Sequence, residues 1–148
     1  RAMFVTMLAG LAGVDEADYP GSTFSDVSVG QWYAPSVAWA ASEGIVSGTG
    51  DGRFEPNRNI TRQEMAQIMA GYLAWKGVDT HPTADPSAYN IPDRADIAPW
   101  ALDSVCFCYE KGLLSGGDHG FAPLDNATRA QACVVLCGLN DFLRKTEG

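Results

Sequence analysis

Apolar side chains recur at helical spacing along this chain, and polar turn residues separate them. Met65, Ile68, Met69, Tyr72 and Trp75 form one stripe, which predicts an amphipathic helix. Its start is marked by Thr61-Arg-Gln-Glu64, a capping box with a threonine N-cap and a glutamate three residues on. Thr128-Arg-Ala-Gln131 carries the same signal. A helix of a second kind is expected from Pro35 to Glu43 and again from Leu102 to Lys111, with Gly44 and Gly112 as C-terminal stops. Between the two kinds lies Ser47-Gly-Thr-Gly-Asp-Gly-Arg-Phe54, glycine-dense turn chemistry. The opening run Arg1 to Gly13 has the charge and small residues of a signal peptide but is too short to span a bilayer.

These elements belong to an internal repeat. Phe24-Ser-Asp26, Trp32, Val37, Gly44-Ile-Val-Ser-Gly48, Phe54, Pro56 and Thr61-Arg62 recur as Ile91-Pro-Asp93, Trp100, Val105, Gly112-Leu-Leu-Ser-Gly116, Phe121, Pro123 and Thr128-Arg129. The register slips by one residue before Trp100 and recovers before Phe121. Arg1 then aligns with Arg62 and Arg129, and Gly10 with Gly71 and Gly138. The opening run is thereby assigned as a truncated amphipathic helix. The expected organisation is the tail of a first repeat in residues 1–20, a second repeat in 21–80 and a third in 81–148. The expected fold is all-α, in tandem helix-loop-helix repeats. Linkers opened by Gly13-Val-Asp15 and Gly77-Val-Asp79 are expected to be exposed.

A net charge of -8 over 148 residues excludes broad attraction to nucleic acid or to anionic lipid. An anionic ligand would need a few local donors instead. Cys106, Cys108, Cys133 and Cys137 align with Ala38, Ala40, Ala66 and Ala70. A position that takes alanine in one copy and cysteine in the next wants a small buried residue; a disulfide or a metal site is the lesser alternative. Asp51-Gly-Arg-Phe-Glu55 lacks the alternating oxygens of a calcium loop, and Asp51 becomes His119 in the later copy. His81 and His119 have no nucleophile around them, and no catalytic, phosphate-binding or metal signature is present, so neither enzyme activity nor a cofactor is expected.

Phe24-Ser-Asp-Val27, Trp32-Tyr-Ala34, Gly44-Ile-Val-Ser-Gly48, Phe54-Glu-Pro56 and Ile60-Thr-Arg-Gln-Glu64 resemble the signature of the S-layer homology domain. The resemblance covers essentially the whole chain and departs from the pattern at Pro92 and Arg94. It implies three repeats in a pseudo-threefold helical bundle. It also implies anchoring of exported bacterial proteins at the cell surface, through a secondary cell-wall polysaccharide that often ends in pyruvylated N-acetylmannosamine. Membrane insertion is not expected.

A pyruvate ketal presents a carboxylate on a sugar, and the candidate residues suit one. Arg1, Arg62 and Arg129 stand at helix starts, where orphan N–H groups and the dipole favour an anion, and guanidinium offers a fork. Trp32 and Trp100 offer ring faces to a sugar, or staple the following helix, or do both. Ser47, Gly48, Ser115 and Gly116 would let donors approach closely. Asp26 and Asp93 are read as bracing the start of the first helix, and Gly10, Gly71 and Gly138 as sites of close helix approach. Two other readings stay open: a self-associating module of a surface array, for which the apolar face of Met3, Phe4, Met7 and Leu8 would seek a partner, and the targeting part of a wall hydrolase.

Overall fold

The computed structural model describes residues 1–21, 23–116 and 120–147, so the reading of His119 lies outside the described residues. The described residues form five α-helices: α1 (Ala2–Ala12), α2 (Ala34–Ser42), α3 (Arg62–Trp75), α4 (Leu102–Glu110) and α5 (Arg129–Glu147). Among the described residues there is no strand; Thr61 and Asn126 form an isolated antiparallel bridge. The fold is all-α. The chain divides into two compact units, Arg1–Asn59 and Ile60–Gly148.

Helix boundaries follow local chemistry. Thr61 Oγ1 accepts from the Glu64 amide while the Glu64 carboxylate accepts from the Thr61 amide at 3.1 Å, closing the capping box. Thr128 and Gln131 do the same at the head of α5, at 2.9 and 3.1 Å. α2 and α4 end at glycines in the left-handed region, Gly44 at φ 73° and Gly112 at φ 70°. Both helices have nine residues, too few to persist alone. They are held by burial: Val37, Trp39 and Ala40 in α2, and Val105, Cys106, Phe107 and Cys108 in α4, are almost fully enclosed.

In the first unit α1 packs on α2, and Phe4 and Leu8 are buried there, so that half of the expected sticky face is already covered; Met3 remains exposed. In the second unit α3 packs on α4. The Cys108 thiol lies 3.7 Å from the Ala66 carbonyl, and the buried Gln63 side chain accepts the Ala98 amide at 2.9 Å. Met65, Ile68, Met69 and Tyr72 are buried as their spacing requires, whereas Trp75 is exposed with Lys76 over its ring.

Two expectations are corrected. Cys106 and Cys108 are small core residues, but Cys133 and Cys137 are exposed. Their counterparts Ala66 and Ala70 are buried in the second unit, where α4 covers α3. Gly10 and Gly138 are not points of close approach, since a Cβ at either would meet nothing within 4 Å.

The linker after α3 is tied to α4 through one carboxylate. Glu110 accepts from the Thr83 hydroxyl, from the Thr83 amide at 3.1 Å and from the Tyr89 hydroxyl at 2.7 Å. The Thr83 and then the Tyr89 hydroxyl bonds pull its pKa from 4.5 down to about 2. A depressed carboxyl stabilises the fold above its unfolded value, and this contribution is lost as pH falls from about 4.5 towards 2. Glu110→Gln should therefore speed hydrogen exchange at the Thr83 and Ala84 amides at pH 6, with the difference from the parent chain narrowing as pH approaches 2.

Candidate functional site

Two of the three arginines at the helix starts turn inward onto a loop, and they do so in the same way. In the first unit Arg1 donates from Nε to the Phe54 carbonyl at 3.0 Å and from Nη2 to the Ser47 carbonyl at 3.1 Å. Its guanidinium lies 4.7 Å from the centre of the Phe54 ring. In the second unit Arg62 donates from Nε to the Phe121 carbonyl at 2.8 Å and from Nη2 to the Ser115 carbonyl at 2.6 Å, 4.9 Å from the Phe121 ring. A planar fork suits two carbonyls separated by a loop, and the ring beneath adds a cation–π contact.

The loop is itself held by an aspartate. Asp26 accepts the amides of Phe54 and Glu55, both at 2.8 Å. Asp93 accepts those of Phe121 and Ala122, both at 2.8 Å. Glu55 and Ala122 take positive φ, 58° and 57°, a costly backbone for an L-residue, and the two charge-assisted bonds offset it. Neither aspartate makes a side-chain cap at the first helix; each braces the loop that the arginine grips. Their recurrence at the same 28-residue separation from Phe54 and Phe121, across a register slip, is the sequence signal that points to this contact.

The glycines serve the loop's own closure. A Cβ on Gly48 would lie 2.7 Å from the Arg53 carbonyl oxygen and 2.8 Å from the Phe24 ring, and one on Gly116 would lie 2.7 Å from the Gly120 carbonyl oxygen. Gly120, at φ 117°, has the Asp93 carboxylate where its Cβ would be. Gly120→Ala should cost about 2–3 kcal/mol in thermal or urea unfolding, and Gly44→Ala, which meets only the φ penalty and open space, about 1 kcal/mol.

In the second unit a groove of about 670 Å³ runs beside this loop, lined among others by Arg62, Ser115, Gly116, Gly120, Phe121, Asp125, Gln131 and Val134. Its size suits a small ligand. The orphan amides at the head of α3 are not free for an anion: those of Arg62 and Gln63 donate to the carbonyls of Asp125 and Pro123, at 2.9 and 3.0 Å. The charge offered to the groove is therefore the guanidinium. Two of its five N–H groups are used by the loop carbonyls, which leaves three. Burial lowers the Arg62 pKa while Asp125 and Asp93 raise it; it stays protonated.

The remaining candidates stand apart from this groove. Trp100, on a 3₁₀ turn before α4, is 53% exposed and Trp32, edge-on to Tyr33 before α2, is 60% exposed. Both are free aromatic surfaces rather than core. Trp100 does not line the Arg62 groove. Arg129 is exposed, and no described residue holds it by a hydrogen bond or ion pair. No group of three or more metal-ligating side chains occurs among the described residues, and none of their helices is long and apolar enough to cross a membrane.

Comparison with known proteins fits this arrangement. The S-layer homology domain matches residues 23–66 and 90–133. The chain is 34% identical over 140 residues to an amylopullulanase of Thermoanaerobacterium thermosulfurigenes, covering 94% of this chain and 7% of that protein. It is 32% identical over 156 residues to an endoglucanase of Bacillus sp. (strain KSM-635), covering 99% and 16%. It is 31% identical over 136 residues to the S-layer protein sap of Bacillus anthracis, covering 92% and 16%. The chain thus spans a small part of each relative's length. S-layer homology domains are non-catalytic modules of S-layer proteins and wall-associated hydrolases; they mediate cell-wall anchoring outside the cell, and the enzymes carry them as a separate part of a longer chain. With two tandem matches that take in both arginine-gripped loops, this chain belongs to the S-layer homology domain family.

Proposed function

We propose that this module anchors its parent protein by binding an anionic secondary cell-wall polysaccharide, with a sugar-borne carboxylate seated on the unspent N–H groups of Arg62. A pyruvate ketal is the group it fits best. The observation that carries this reading is the repeated grip of Arg1 and Arg62 on a serine and a phenylalanine carbonyl, which fixes a guanidinium beside a glycine loop and, for Arg62, at the edge of a groove. A fixed, half-buried cation can attract an acid group despite a net charge of -8, because remote charges are screened beyond about 8–10 Å. Leu113, Leu114, Phe121 and Val134 give the rest of the groove an apolar wall for a sugar's C–H face or a ketal methyl. Arg1 fills the equivalent role in the first unit, with Ser47 and Gly48 as counterparts of Ser115 and Gly116. Trp32 and Trp100 act at the outer surface, and Arg129 serves a further site.

Co-sedimentation with purified wall sacculi tests it. The chain should pellet with intact sacculi, and pelleting should be lost when the secondary polymer is stripped by acid. Sacculi that retain the polymer but lack the ketal should bind at least tenfold more weakly. Undiminished pelleting with stripped sacculi would overturn the polymer reading, and undiminished pelleting without the ketal would overturn the acid-group assignment. The amylopullulanase and endoglucanase names among the relatives and the S-layer name suggest alternative cargoes for such an anchor, a wall-bound hydrolase or a surface-array protein.

A further inference from the structure

Two positions beside the gripped loop change character between the units. Counting back from Thr61 and Thr128, Arg58 of the first unit stands where Asp125 stands in the second, and Glu55 where Ala122 stands. In the first unit these two side chains pair with each other, Arg58 Nη1 lying 3.2 Å from Glu55 Oε2. In the second the partner is gone. The Asp125 carboxylate is exposed, lines the groove together with Arg62, and takes no hydrogen bond or ion pair among the described residues. It is close enough to be felt: burial works against the Arg62 charge, and Asp125 is the stronger of the two carboxylates that work for it. Its main chain is engaged, since the Asp125 carbonyl accepts the Arg62 amide at 2.9 Å. The residue is thus held at the groove while its side chain serves no contact of the fold.

We propose that Asp125 is a specificity-determining residue of this groove: it accepts a hydroxyl or amide N–H from a sugar whose one carboxylate lies on Arg62, and it excludes ligands with a second negative charge. The inference rests on the reading of the groove as a seat for an acid sugar, and adds the charge and the donor that the sugar must carry. An acid beside the guanidinium repels any arriving anion unless that anion brings something the acid can accept. Arg62 keeps three N–H groups after the loop carbonyls are served, enough to fork one carboxylate. A sugar phosphate brings the same hydroxyls but nearly two charges above pH 7, and the surplus would meet Asp125 with no counter-ion. Leu113, Leu114, Phe121 and Val134 line the same groove. A ligand packed on that apolar wall displaces water, which strengthens both the attraction to Arg62 and the repulsion from Asp125. A hydroxyl or acetamide next to the acid group replaces that repulsion with a charge-assisted hydrogen bond.

The test is an NMR titration of the whole chain at pH 8, followed at the amides of Gly116 and Phe121 so that this groove is read separately from the first unit. Two probes are compared: the methyl glycoside of N-acetylmannosamine carrying a pyruvate ketal, and the same glycoside carrying a 6-phosphate. The parent chain should bind the ketal at least tenfold more tightly than the phosphate. Asp125→Asn should weaken ketal binding at least threefold, because a neutral amide oxygen is the poorer acceptor, and should tighten phosphate binding at least threefold. Asp125→Arg, which brings in the side chain of the first unit, should reverse the preference. Should Asp125→Arg unfold, Asp125→Asn alone decides. Ketal and phosphate affinities that rise by the same factor in Asp125→Asn overturn the proposal, because the acid is then a plain repulsive charge. A preference for the ketal that a folded Asp125→Arg leaves unmoved overturns it as well. The acid-sugar reading survives either result. A parent chain that binds neither probe at this groove overturns that reading and this proposal with it.

Discussion

Arg62→Ala is expected to destabilise the second unit by about 2–4 kcal/mol and to abolish most binding to wall sacculi. Two charge-assisted hydrogen bonds, to the carbonyls of Ser115 and Phe121, disappear together with the contact to the Phe121 ring, and each such bond to a charged group is worth about 1.5–3 kcal/mol when neighbours cannot compensate. Arg62→Lys separates the two effects. Lysine keeps the charge but cannot span both carbonyls, so it should recover less than half of the stability loss in urea unfolding. Its affinity for polymer-bearing sacculi should remain at least tenfold below that of arginine. An Arg62→Ala chain as stable as the parent would show that the loop holds itself closed without the guanidinium.

The second large effect concerns the aspartates beneath the loop. Asp93→Asn should cost about 2–3 kcal/mol, because the amide side chain offers one oxygen where the carboxylate offers two, and one of the Phe121 and Ala122 amides loses its acceptor. Asp93 does not line the groove, yet polymer binding should weaken with the fold, since the Phe121 carbonyl that positions Arg62 belongs to the loop that Asp93 braces. Asp26→Asn should behave alike in the first unit. Burial would raise the Asp26 carboxyl, but the bonds from Phe54 and Glu55, aided by Arg53, outweigh it and leave the pKa below the ordinary 3.8. The sign follows: Asp26 stabilises the fold above its unfolded value, and this is lost as pH falls below about 3.8 and through the lower folded value. The parent chain should thus lose stability as pH falls below about 3.8, and Asp26→Asn should flatten that part of the profile in circular-dichroism unfolding. An unchanged acid profile would place the titrating group elsewhere.

What could be read from the sequence was what is local or repeated. Thr61 and Glu64 sit three residues apart, and their mutual capping is decided within one helical turn, so the capping box was legible directly. The all-α fold and the helix pairs followed from stripe spacing and from the glycines after α2 and α4. The arginines were found because they recur, but their targets were not, since a guanidinium at a helix start looks equally ready for solvent, anion or carbonyl. Asp26 was misplaced for a similar reason: short-range chemistry suggests a helix start, while its partners lie 28 and 29 residues away. Gly48 and Gly116 were read as room for a ligand, and the loop's own backbone occupies that room. Cys133 and Cys137 failed differently. Alignment with alanine measured the size a position accepts, whereas burial depends on what lies opposite.

The clamp between arginine and loop is made of peptide oxygens: neither Ser47 nor Phe54 contributes a side-chain atom to the hydrogen bonds of Arg1. The chain reversal between them is held separately, by the exposed Thr49 and Asp51: the Thr49 hydroxyl donates to Asp51 and to the Arg53 carbonyl, both at 3.2 Å, and Asp51 accepts the Arg53 amide at 3.3 Å. The two functions are thus divided, main chain for the grip of the arginine and side chains for the turn, so substitutions at Thr49 and Asp51 should loosen the reversal while the carbonyls that Arg1 holds stay in place. Because peptide oxygens are common to all residues, successive repeats in one polypeptide can differ in the side chains of the reversal and still present the same seat to the arginine.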